Sequence, residues 1–119
     1  MYKKSWILIL VILFTGCVVA KEQRTVDVGI SSGKVQCQED RIPKGVSEGL
    51  LLKSGIKVLN SHCGVENKFS IAMCGASDNE LYIYEIREKD LRLAKQNGFI
   101  EVDSLVDGYT ETDCKKLNQ

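Results

Sequence analysis

The sequence predicts an α+β domain: a mostly antiparallel sheet of three to five strands, two helices on one face, and two disulfides. Three observations predict it. Segments of strand period and helix period follow one another as strand, helix, three strands, helix and short strand. Clusters of Gly, Asn, Asp and Ser separate them at short intervals. Four cysteines remain beyond the apolar N-terminus, an even number in a small chain. At 119 residues the chain has room for one such domain, over 26–119, behind an N-terminal segment (1–16) and a tether (17–25).

The elements follow in order. Val26, Val28 and Ile30 alternate with polar residues or glycine, and "KVQC" continues the alternation, so a strand ending at Cys37 is expected. "EDRIPKGVSEGLLLKSG" reads as a short helix. Asp40 would cap it, Pro43 is tolerated in a first turn, and Gly55 would end it. Ile42, Val46 and Leu50 lie four apart and would form its buried face.

Three strands are expected next. "IKVLNSHC" carries Ile56 and Val58 on one face, and "GVEN" would turn the chain. "KFSIAMC" alternates cleanly and would point Phe69, Ile71 and Met73 inward. "ELYIYEI" is apolar on both faces, as a central strand or one with a covered second face would be. "REKDLRLAKQNG" is the second helix, with Leu91 and Ala94 on one face. Asn97-Gly98 is its stop, and Phe99 folds back on the last turn. "FIEV" adds a short strand, and Cys114 would pin the polar tail to the body. Two helices on one face of this sheet give the ferredoxin-like split β-α-β plan as the nearest named arrangement.

The N-terminus decides the compartment. "MYKKSWILILVILFTGC" has a positive start at Lys3 and Lys4, an apolar core of nine residues from Trp6 to Phe14, and then small residues. The apolar stretch reaches only from Trp6 to Ala20, short of the ~20 residues that cross a hydrocarbon core. "Phe14-Thr15-Gly16-Cys17" resembles the lipobox of bacterial lipoprotein precursors. The resemblance covers the first 17 residues, and Phe14 stands where the family most often has leucine. It implies that the Cys17 thiol takes a diacylglycerol and its amine an acyl chain such as palmitate. The mature protein would then be held on the inner or outer membrane, facing the periplasm. The alternative is cleavage after Ala20, which releases a soluble periplasmic domain. Either route exports the domain to an oxidising space.

There Cys37, Cys63, Cys74 and Cys114 are expected to form two disulfides, with three pairings open. No Cys-x-x-Cys exists in the chain, so neither a zinc site nor a thioredoxin-like pair is expected. His62 adjoins Cys63, but neighbours on a strand point to opposite faces, which argues against a catalytic pair.

Composition narrows function by exclusion. Lys plus Arg equal Asp plus Glu at 16 each, and without Lys3 and Lys4 the formal charge is −2. Such a balance offers no footprint for nucleic acid. Asp103, Asp107, Glu111 and Asp113 sit on a polar tail and read as solvated charge. No glycine-rich phosphate loop or nucleophile elbow is present, so neither a cofactor nor catalysis is expected. The expectation is a non-enzymatic envelope lipoprotein that binds another envelope protein as an accessory subunit of an assembly. The alternative is an inhibitor or immunity protein held at the membrane against a toxin or lytic enzyme. Tyr82, Tyr84 and Ile86 are the candidate partner-binding residues, on the supposition that the helices leave their face open.

Overall fold

The structure, a computed structural model, describes Gly16 and residues 23–114. Cys17, and all but Gly16 of the segment read as a signal peptide, lie outside the described residues. The elements are β1 (Thr25–Ser31), α1 (Lys44–Lys53), β2 (Asn60–Glu66), β3 (Glu80–Arg87), α2 (Leu91–Gln96), β4 (Ile100–Glu101) and β5 (Tyr109–Thr112). Single 3₁₀ turns at Glu88–Asp90 and Val102–Ser104 join the last of these. The strands form one sheet in the order β4-β1-β3-β2-β5, antiparallel throughout. With α1 between β1 and β2, and α2 between β3 and β4, this is the ferredoxin-like βαββαβ plan, with β5 added beside β2.

β3 is the centre. β1 pairs along one side from Thr25↔Arg87 to Ser31↔Leu81, and β2 along the other from Asn60↔Glu85 to Val65↔Glu80. On one face Tyr82, Tyr84 and Ile86 pack with Val28, Cys63, Leu51 of α1, Ala94 of α2 and Phe99. Leu81 and Ile83 point to the other face. There the chain crosses from β4 to β5 and lays Val102, Leu105 and Tyr109 over them. Gly64 makes room for this cover. A β-carbon on it would stand 2.6 Å from Cδ2 of Tyr109 and 3.1 Å from the Thr110 carbonyl oxygen.

The helix stops form as their sequences require. Gly55 and Gly98 take left-handed φ angles of 79° and 93°, and Ile56 and Phe99 donate their amides back to Leu51 and Ala94. Both helices lie on one face, but the reading of α1 is corrected in two respects. Its cap residue is Pro43, not Asp40. Its buried residues are Ser47 and Leu51, while Ile42, Val46 and Leu50 are exposed. Leu50, Leu51 and Leu52 are consecutive, so apolar residues point several ways around the helix. Polar chemistry then selects the face, because the Ser47 hydroxyl is shared with that of Tyr84 and donates to the Lys44 carbonyl.

Three strand assignments are also corrected. β1 stops at Ser31, and beyond it only Val35 makes a bridge, to Ser77. Cys37 has a φ of 70°, which no strand accommodates. β2 runs through Gly64-Val65-Glu66, where a turn was expected. "KFSIAMC" is not a strand. β2 and β3 are antiparallel neighbours, so their connection leaves and returns at the same end of the sheet. Residues 67–79 form that connection as an irregular loop.

Candidate functional site

The topology gives the domain two ends. At the base, β1 begins at Thr25 and β3 ends at Arg87. At the opposite end, the tip, three connections meet: 32–43 between β1 and α1, 67–79 between β2 and β3, and 105–108 before β5. The tip concentrates exposed apolar side chains. Phe69 is 96% exposed, Ile71 66%, Met73 60% and Val106 97%. Asn67 joins the last two loops, its amide donating to the Gly108 carbonyl at 2.9 Å and its side chain to that of Asp107 at 3.3 Å.

The loop carrying Phe69 is braced to its neighbour. Cys74 forms a disulfide with Cys37. Gln36 replaces a strand partner, its Nε2 donating to the Ile71 carbonyl at 2.8 Å and its Oε1 accepting from the Met73 amide at 3.0 Å. The Gln36 amide donates to the Ala76 carbonyl at 2.8 Å, and the Gly75 amide returns a bond to Gln36 at 3.1 Å. Lys34 Nζ lies 2.8 Å from Asp78. That hydrogen bond, with the nearby charges of Asp78, Glu39 and Glu80, holds the lysine above its usual pKa.

Beneath the loops a buried ion pair fixes their roots. Glu80, 3% exposed, accepts hydrogen bonds from the Ser32 hydroxyl and from Arg41 Nε at 2.9 Å. The Tyr82 hydroxyl donates to the Ile42 carbonyl at 2.6 Å. A buried pair of this kind contributes more to fixing one arrangement than to net stability, and breaking it leaves an uncompensated charge. The loops therefore stand on a specified footing. Beside them a groove of about 320 Å³ crosses the second face, between Ile100 and Lys68. Asn79 lines it, and its buried Oδ1 has no hydrogen-bond partner among the described residues.

The candidate residues fall out as follows. The four cysteines pair as Cys37–Cys74 and Cys63–Cys114. Two disulfides belong to a chain that folds in an oxidising, exported compartment. Cys63 is fully buried, and its neighbour His62 turns to the other face, where its Nε2 lies 2.8 Å from the Tyr109 hydroxyl. No thiol–imidazole pair exists there. Asp103, Asp107, Glu111 and Asp113 are exposed and form no common site.

The partner-binding assignment of Tyr82, Tyr84 and Ile86 is corrected. All three are at most 1% exposed, because the helices cover their face and not the opposite one. Burial pushes the Tyr84 hydroxyl up to about 12 and raises that of Tyr82. The residues missed were Phe69, Ile71, Met73 and Val106. No signal in the residues marks the first three, because "KFSIAMC" carries a strand's alternation and only its place between the paired strands β2 and β3 shows it to be a connection.

Among the described residues no helix is long and apolar enough to cross a membrane, and no group of His, Cys, Asp or Glu could hold a metal ion. No family model, curated protein or solved structure matches the chain.

Proposed function

We propose that this chain is a non-enzymatic, lipid-anchored protein of the cell envelope that binds another protein through its tip, as an accessory subunit of an envelope assembly. One observation supports this above the rest: Phe69, Ile71 and Met73 stand in solvent on a loop that is covalently and polarly braced. Exposed apolar clusters on a monomer mark interaction sites. A braced loop loses little conformational freedom on docking, so more of its contact energy appears as affinity.

The tether supports the same reading. With Cys17 acylated, seven residues separate it from Thr25, eight Cα steps with a reach of at most about 29 Å. The chain enters at the base, and β3 spans about 26 Å from base to tip. The apolar tip is then the end of the domain farthest from the point where the tether enters. The convex loop with its projecting aromatic ring also suits the second reading, an inhibitor that plugs the cleft of a toxin or lytic enzyme.

The test is crosslinking of intact membranes followed by pull-down of the full chain and of a Cys17→Ser variant. A stoichiometric partner recovered with the native chain supports the proposal, and its identity as an assembly component or a lytic enzyme selects between the two versions. Cys17→Ser should lose membrane association. If that variant stays on the membrane, or if the native chain recovers no partner, the proposal fails.

A further inference from the structure

We infer that the tip docks into a protein cleft with an apolar floor and a basic rim; this rests on the protein-binding reading above. The charges around the loop carry the inference. The three cations of the tip are already matched: Lys34 by Asp78 at 2.8 Å, Arg41 by Glu80 at 2.9 Å and Lys68 by Glu66 at 3.5 Å. Glu39 and Asp40 on the first of the tip's three loops and Asp107 on the third are further carboxylates, all exposed. Glu39 and Asp40 follow Cys37 closely in the chain, and Asp107 follows Val106. With those three pairs cancelled, the loops of the tip and their ion-pair partners carry a net charge of −3.

That net charge separates the two classes of occupant. Segments that enter a lipid interface surround their apolar face with Lys and Arg, which anionic headgroups attract. An acidic tip is repelled by the same surface. On a protein partner, opposite charges at the rim steer encounter and fix register while the apolar centre supplies affinity. Phe69 is the anchor, as the largest and most exposed side chain of the braced loop.

The experiment places a photo-crosslinking phenylalanine analogue at position 69 of the full chain and irradiates intact cells. The same analogue at position 59, near the base, is the control. The expected result is a discrete protein adduct from position 69 and not from 59. Its crosslinked peptide should lie in a cleft flanked by lysine or arginine. Reversing Glu39, Asp40 and Asp107 together to lysine should lower the adduct yield roughly tenfold with the melting temperature unchanged. In isolated membranes the native chain should lose adduct as ionic strength rises, a measurement that needs no charge variant. A protein adduct insensitive to both charge reversal and salt overturns the basic rim and leaves the protein-binding reading standing. Lipid adducts from position 69, or none of any kind, overturn both.

Discussion

Two nearby segments of this chain both carry a strand's apolar pattern and meet opposite fates. "ELYIYEI" is β3, paired on both sides and buried on both faces. "KFSIAMC" lies just before it and is exposed along its whole length. Either pattern suits a strand; the supply of partners decides between them. β3 finds β1 and β2 waiting, whereas residues 68–74 lie in a connection that leaves and returns at one end of the sheet. Among the described residues, what meets this connection across the tip is Gln36 and Cys37, a side chain and a disulfide in place of a strand. Alternation states what a segment could do beside a strand, and topology decides whether a strand is there. The cost of leaving apolar residues in water then needs a reason, and docking supplies one.

The comparison breaks first at Tyr84. Truncation to alanine should cost ~3–5 kcal/mol, as for other large buried aromatics. Thermal or urea denaturation reads that directly, and a change below about 1 kcal/mol would show that β3 is not the core strand described.

The two disulfides divide along the same line. They close 37 and 51 residues, for which chain entropy gives a similar stabilisation of ~4 kcal/mol each. They differ in access, since Cys37 and Cys74 are exposed and Cys63 is fully buried. Under mild reductant with an alkylating reagent, Cys37 and Cys74 should be labelled well before Cys63 and Cys114. Peptide mass spectrometry gives the order, and the reverse order would contradict the placement of both pairs.

Alkaline pH tests the core with a smaller effect. Burial keeps the Tyr84 phenol protonated up to about 12 in the folded chain, while an unfolded tyrosine ionises near pH 10. The folded state then binds more protons than the unfolded one, so stability is complete below pH 10 and falls between pH 10 and about 12. The slope should approach ~1.4 kcal/mol per pH unit for this one group. Tyr82, Tyr109 and Lys34 are raised too and add in the same direction. Tyr84→Phe should flatten the fall; an unchanged slope would mean that Tyr84 does not contribute to it.

Much of this was legible in the residues. β3 announced itself by apolar side chains on both faces, and Asn97-Gly98-Phe99 gave the end of α2 and its return. The even cysteine count predicted two bridges, although spacing could not choose the pairing. The face of α1 was not legible, because an inward serine bonded to Tyr84 looks the same in sequence as a solvated one. Nor was the tip. Its apolar residues carry a strand pattern, and only the three-dimensional course of the chain shows that no strand partner reaches them. The error on Tyr82 and Tyr84 followed from assigning the helices to the wrong side of the sheet.

The smallest effect on stability falls at Phe69, and it tests the central claim most directly. Phe69→Ala should be measured on the full chain in parallel for melting temperature and for recovery of the crosslinked partner. With the ring in solvent, stability should change by no more than about 0.5 kcal/mol. Partner recovery should fall steeply, since losing an aromatic anchor costs ~2 kcal/mol or more of binding, roughly thirtyfold. A variant that melts several degrees lower would put Phe69 inside the fold, and one that recovers its partner undiminished would remove the tip from the interface.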